Sequence, residues 1–236
     1  MNEKILIAED EKEIADLLEV YLKNDGYTVY KCLFGKQALE YIESKTDIDI
    51  AVLDIMLPDI SGFDLCRKIR EKSFYPIIML TAKSDDNDKI MGLTIGADDY
   101  ITKPFNPLEV MARIKTQLRR YLRYNINGAK TQVDPCEHDI RGLTINKENH
   151  KCFLFGEEIQ LTPTEFSVLW YLCEHCGAVI SSEELFEAVW GEKYLNNSSN
   201  TVMAHIGRLR EKLKEPAKNP KFIKTVWGVG YTVEQQ

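Results

Sequence analysis

The chain has 236 residues, of which 44% are hydrophobic and 28% charged, and its formal net charge is −7. That balance describes one large globular domain or two ordinary ones, and it excludes a disordered, fibrous or generally basic chain. No apolar run approaches the roughly 20 residues of a membrane span, and the start Met1-Asn2-Glu3-Lys4-Ile5-Leu6 has no signal-peptide layout, so a cytoplasmic location with reduced cysteines is expected.

The first half alternates short apolar runs with helical patterns. Strands are predicted at Lys4–Ala8, Thr28–Cys32, Ile50–Leu53, Ile77–Leu80 and Tyr100–Ile101, and helices at Lys12–Asp25, Lys36–Glu43, Phe63–Arg70, Asp86–Leu93 and Pro107–Arg120. Ile14, Leu17, Leu18, Tyr21 and Leu22 form an apolar stripe at helical spacing. Asn106-Pro107-Leu108-Glu109 reads as an N-cap followed by proline at the first helical position. Fivefold β-then-α alternation predicts a doubly wound, flavodoxin-like parallel sheet of five strands with helices on both faces.

Four of those strands run into polar residues: Glu9-Asp10, Asp54, Thr81 and Lys103. In an open parallel sheet ligands bind beyond the carboxyl ends of the strands, so these groups are expected in one pocket. Three carboxylates make a hard oxygen site suited to Mg²⁺ or Mn²⁺. With the repulsion among them relieved by a cation and the Lys103 ammonium, one carboxylate can attack phosphorus to give an aspartyl phosphate. Thr81 can then donate to a phosphoryl oxygen.

Tyr121–His138 holds Asn-Ile-Asn-Gly, Asp134-Pro135 and no periodicity, and reads as a linker. Short antiparallel strands follow at Leu143–Ile145, Lys151–Leu154 and Glu158–Gln160. Thr162-Pro163-Thr164-Glu165 is a capping box that opens a helix ending at Gly177, and Ser181-Ser182-Glu183-Glu184 opens another that ends near Trp190-Gly191. Cys173-Glu174-His175-Cys176 lacks the second close pair that zinc usually requires, so its cysteines are read as buried helix residues.

Residues 199–236 carry 7 Lys and Arg against 3 Asp and Glu, a basic segment on an acidic background. Its helix, Asn200–Lys214, places Val202, Ile206, Leu209 and Leu213 on one face. Thr201, His205, Arg208 and Lys212 repeat that spacing one residue earlier and are expected to point outward, with Arg210 and Lys214 flanking the core stripe. A hairpin follows, Phe222–Val226 and Tyr231–Glu234 around Trp227-Gly228-Val229-Gly230, with Lys221 and Lys224 at its base. A helix after a helix and turn, with a hairpin wing beside it, is a double-stranded DNA reader. Asn200 and Trp227 complete the candidate contact set.

Two sets of motifs carry a resemblance. Ala8-Glu9-Asp10, Asp54 with Met56-Leu57-Pro58 and Ser61-Gly62, Thr81-Ala82, Gly96-Ala97-Asp98-Asp99-Tyr100 and Lys103-Pro104-Phe105 resemble a response-regulator receiver domain over residues 1–122. Leu161–Phe166 and Thr225–Tyr231 resemble the α+β winged helix-turn-helix effector of the OmpR/PhoB family over residues 138–236, with 123–137 as linker. The resemblance implies a phosphoacceptor Asp54 served by a sensor histidine kinase. It implies Mg²⁺ held by Asp10, Asp54 and the Met56 backbone carbonyl with Glu9 alongside, a Thr81/Tyr100 switch pair, phosphate contact by Lys103 and a cis Lys103-Pro104 bond. It also implies a homodimer formed through the helix Asp86–Leu93, the fifth strand and the helix Pro107–Arg120, with Lys89, Asp98, Asp99, Glu109, Arg113 and Arg120 as intersubunit charges, and promoter DNA and RNA polymerase as partners. Leu93–Ile101 and Lys224–Tyr231 are most similar to VanR-type regulators of glycopeptide resistance, which implies a VanS-like kinase and cell-wall remodelling promoters. Gly207 and Trp227 stand where relatives often carry basic residues.

The expected chemistry is confined to the protein's own phosphorylation and dephosphorylation, and the chain is not expected to be an enzyme otherwise. Two other readings stay open. A metal-dependent phosphohydrolase would also use Asp54, although Asp54-Ile55-Met56 has no second acid two residues on. A regulator that binds DNA without phosphate is the other.

Overall fold

The computed structural model describes residues 3–44, 47–82, 95–126, 136–191, 193–194, 198–216 and 220–234. It divides into two compact units, Met1–Tyr121 and Leu122–Gln236. The predicted helix Asp86–Leu93, Lys89 with it, lies outside the described residues, as does the side chain of Arg120.

In the first unit β1 (Lys4–Ala8), β2 (Thr28–Cys32), β3 (Ile50–Asp54), β4 (Ile77–Ala82) and β5 (Asp99–Lys103) form a parallel sheet in the order β2-β1-β3-β4-β5. Helices α1 (Lys12–Asn24), α2 (Gly35–Ser44), α3 (Gly62–Arg70) and α4 (Pro107–Ile126) accompany it. Alternate strand residues feed two cores. Ile5, Ile7, Ile50, Val52, Ile78 and Leu80 pack with Leu18 and Leu22 of α1 and Val110, Ile114 and Leu118 of α4. Leu6, Ala8, Ala51, Leu53, Ile77 and Met79 face the other way, onto Ala38 and Ile42 of α2 and Leu65, Cys66 and Ile69 of α3. Each large aliphatic side chain buried this way contributes about 1.5–3 kcal/mol. Burial on both faces is what the continuous apolar runs predicted.

The strands run further than their apolar cores. Asp54 pairs with Leu80, Thr81 with Thr102, and Ala82 with Lys103. Asp54, Thr81 and Lys103, expected at or just beyond the strand ends, therefore sit within the ladders, where main-chain hydrogen bonds hold them, while Glu9 and Asp10 follow β1.

In the second unit β6 (Glu137–Ile140), β7 (Leu143–Asn146), β8 (Lys151–Leu154) and β9 (Glu157–Ile159) form an antiparallel sheet. Phe155 and Gly156, at φ 50° and 85°, make the two-residue turn between β8 and β9 that suits the strand twist. Then come α5 (Pro163–Glu174), β10 (Ile180–Ser181), α6 (Ser182–Trp190), α7 (Ser198–Lys212), β11 (Ile223–Val226) and β12 (Gly230–Val233), with a second sheet ordered β10-β12-β11. Thr162 and Glu165 form the predicted reciprocal capping box. The Ser181 hydroxyl accepts from the Glu184 amide at 3.0 Å.

Two expectations are corrected. The aperiodic stretch Tyr121–His138 is ordered at both ends: α4 runs on to Ile126, and β6 starts at Glu137. Only Ile140 of β6 is fully buried, so the strand left no alternating pattern to read. β10 also went unpredicted. It exists because Gly230 lets β12 close on it; a Cβ there would sit 1.9 Å from the Ile180 carbonyl oxygen.

Candidate functional site

Asp54 ends β3 and is 3% exposed, while Glu9, just past β1, is fully buried. Glu9, Asp10 and Asp54 offer carboxylate oxygens within 4.8 Å of one another. Lys103 reaches in from β5, its Nζ 2.5 Å from Asp54 Oδ2, 2.7 Å from Glu9 Oε1 and 3.1 Å from Glu11 Oε1. The other Asp54 oxygen accepts from the Met56 amide at 2.9 Å. Thr81 is buried at the end of β4, and its hydroxyl donates to the Ala82 carbonyl at 3.1 Å. Tyr100 is half-buried on β5, and Lys103-Pro104 is cis.

Burial raises the Glu9 carboxyl to about 7, helped by the Asp54 charge and opposed by Lys103. Burial also opposes the Lys103 charge, but hydrogen bonds to Asp54 and Glu9 outweigh it and hold the ammonium beyond the ordinary lysine range. Glu9 Oε2 is buried with no hydrogen-bond partner among the described residues. A buried carboxylate oxygen left bare costs free energy unless something cationic meets it. The acidic donor set and this bare oxygen both fit a hard divalent cation.

Three contributors escaped the sequence reading. Glu11 stands at the N-cap position of α1 but makes no side-chain cap hydrogen bond, and its carboxylate turns to Lys103. Gly62 lies so close to β3 that a Cβ there would be 2.1 Å from the Asp54 carbonyl oxygen. Asp59 accepts from the Gly35 and Lys36 amides at 2.7 and 3.0 Å, tying the loop after Asp54 to the start of α2. That only a glycine fits at 62 depends on a close approach that no local pattern reports.

The expected dimer-face charges divide. Asp98 is fully buried, 2.6 Å from Arg70 and accepting from the Ile77 amide at 3.0 Å, so it presents nothing to a partner and that expectation is corrected. Asp99 is bound by both oxygens to Arg113 at 2.9 and 3.1 Å, and Arg113 also holds Glu109. These pairs close within one chain.

The second correction concerns α7, which packs against both α5 and α6. A helix held by two neighbours buries more than one narrow stripe. Thr201, His205 and Arg208 accordingly lie inward, at 7%, 0% and 6% exposure, rather than outward as expected. Arg208 Nη2 is 2.8 Å from the His205 ring and its Nη1 is 3.7 Å from Glu165, while Lys212 binds Glu165 at 2.6 Å. Glu165, 1% exposed, is the hub. Burial pushes its carboxyl up, but Arg208 and Lys212 outweigh that and hold it below the usual range. Arg210 donates to the Ile223 carbonyl and the Thr225 hydroxyl on β11, and Lys224 pairs with Glu234. Asn200 is half-buried near the start of α7, and Trp227 stands 90% exposed at the tip of the β11–β12 hairpin.

Residues 5–115 match the response regulator receiver domain, and residues 156–233 match the C-terminal domain of transcriptional regulatory proteins. The chain is a response regulator of the OmpR/PhoB type. It is 60% identical over 235 residues to the regulatory protein VanRc of Enterococcus gallinarum and 56% identical over 236 residues to the regulatory protein VanR of Enterococcus faecium, with full coverage of both chains in each case. Among solved structures, it is similar to the Thermotoga maritima OmpR/PhoB homolog DrrB at 34% identity and a TM-score of 0.51, over 99% of this chain and 100% of that one. A mutant of RitR aligns over 100% of both chains at 30% identity and a TM-score of 0.71. This response regulator is thus a transcriptional regulator built from a receiver and a DNA-binding module. No helix among its described residues is long and apolar enough to cross a membrane.

Proposed function

We propose that this response regulator is phosphorylated on Asp54 by a sensor histidine kinase and, as a dimer, binds promoter DNA to control glycopeptide-resistance genes. The observation that carries the chemistry is the convergence of Asp54 Oδ2 and Glu9 Oε1 on one ammonium, beside a bare buried Glu9 oxygen. In this reading residues 1–122 are the phosphoacceptor domain, 138–236 the DNA-binding domain and 123–137 the join.

A carboxylate oxygen of Asp54 attacks phosphorus as the P–N bond of the kinase phosphohistidine breaks, and the imidazole leaves with the bonding pair. Glu9, Asp10, Asp54 and the Met56 carbonyl would hold Mg²⁺ or Mn²⁺, which supplies positive charge against the phosphoryl oxygens. Lys103 offers its ammonium to the same oxygens. Thr81 gives up its bond to the Ala82 carbonyl and donates to the phosphoryl group, and Tyr100 follows it inward. Chemistry of this kind is limited to the protein's own phosphorylation and dephosphorylation. The 60% identity to VanRc supports a VanS-like kinase, cell-wall promoters, RNA polymerase as a further partner and a cytoplasmic location.

The test is incubation of the full chain with Mg²⁺ and acetyl phosphate, followed by intact-mass spectrometry. One phosphoryl adduct is expected, lost in Asp54→Asn. Rapid multiple turnover of the donor, or an adduct that persists in that variant, would sink the reading in favour of a phosphohydrolase or another acceptor.

A further inference from the structure

With its basic stripe turned inward, α7 leaves a different strip open. Asn200 lies near its start, Met203 is 52% exposed one turn on, and Gly207 follows. Nothing lies within 4 Å of where a Cβ of Gly207 would be, so the strip is shallow and open there. Glu211 completes it at the far end and Lys214 follows just past the helix, both exposed. Among the described residues of this strip, none is cationic before Lys214.

That composition bears on which bases can be read. The N-terminal residues of such a helix meet base edges in the major groove. Arginine and lysine favour guanine, an asparagine amide matches adenine, and apolar groups meet the thymine methyl. Both arginines of α7 are engaged elsewhere: Arg208 at 6% exposure with His205 and Glu165, and Arg210 with the carbonyl and hydroxyl groups of β11. We infer that Asn200 and Met203 are the specificity-determining side chains of this protein and that they select A·T base pairs. The inference rests on the reading of α7 as the DNA-facing helix and adds what it reads. Phosphate contacts fall to exposed cations outside the strip's first two turns, such as Lys221 and Lys214, the latter held only in an exposed pair with Glu157. Trp227, 90% exposed, gives the wing an apolar tip of the kind that enters a minor groove.

The experiment is selection from a pool of DNA duplexes with a randomised core, using the full chain treated with acetyl phosphate and Mg²⁺, alongside Asn200→Ala, Met203→Ala and Met203→Arg. Both positions of substitution face solvent at least in part, and thermal melts matching wild type establish that the three variants fold. Wild type is expected to enrich A·T pairs at the helix-facing positions of each half-site. Asn200→Ala should lower adenine preference at one position by about tenfold, Met203→Ala should relax an adjacent thymine, and Met203→Arg should turn that position toward guanine. Enrichment of G·C pairs there, or a motif that no variant alters, overturns the inference while leaving DNA binding intact. Failure to retain any duplex even at low salt overturns the DNA-binding reading and this inference with it.

Discussion

Asp54 is placed by a residue that has no side chain at all. Gly62 N donates to the Ile55 carbonyl at 3.1 Å, and its Cα faces the Asp54 carbonyl oxygen with no room for a methyl group. Gly62→Ala forces α3 away from β3, an overpacking cost of about 1–3 kcal/mol. The melting temperature should fall and the rate of phosphorylation by acetyl phosphate should drop with it; a variant as stable and as fast as wild type would show that the contact relaxes freely. Lys103, by contrast, was found by its position alone. A lysine at the end of a buried strand is costly unless anions meet it, and Glu9 and Asp54 do.

Among the elements, α7 is where residue chemistry and packing diverge most. Arg208 and Lys212 look like DNA contacts by type, yet they neutralise Glu165, whose position is set by the capping box that starts α5. Removing one partner of a buried charge network costs about 3–5 kcal/mol, because the other charge stays buried. Glu165→Gln should destabilise the second unit by that order in denaturant titration. The pH dependence has a definite sign. The folded Glu165 carboxyl lies below its ordinary value of 4.5, so its stabilisation is full above that value and is lost as pH falls through the folded one. The gap between wild type and Glu165→Gln should therefore narrow below about pH 4.5; a gap constant down to pH 3 would assign the effect to packing.

For the molecule as a whole, the proposed role requires that phosphorylation of Asp54 alter how the protein assembles. Phosphate brings about 1.5–2 negative charges into a pocket already holding three carboxylates. Within the Asp99–Arg113–Glu109 cluster the exposed Glu109 can exchange partners at small net cost, whereas the bidentate Asp99–Arg113 pair is buried and costly to break. Treatment with beryllofluoride and Mg²⁺ should shift the full chain from monomer to dimer in light scattering, and Asp54→Asn should stay monomeric. Dimers of equal abundance in both would detach assembly from the phosphoacceptor.

The receiver fold and its pocket were legible because their determinants are local. Buried parallel strands write themselves as apolar runs, and β/α alternation brings the ends of β1, β3, β4 and β5 to one edge whatever the side chains around them. The capping box at Thr162, the N-cap at Ser181 and the turn at Trp227-Gly228-Val229 were equally plain. What tertiary structure decided is which face of an element looks inward. A charged stripe one residue from an apolar one is exposed on a helix with one neighbour and buried on a helix with two, and α7 has two. The sequence alone thus determined that Glu9, Asp10, Asp54 and Lys103 meet at one edge of the sheet and that a winged helix follows. Only packing decided that Asp98, His205 and Arg208 hold the fold together, and that Asn200 and Met203 are left facing out.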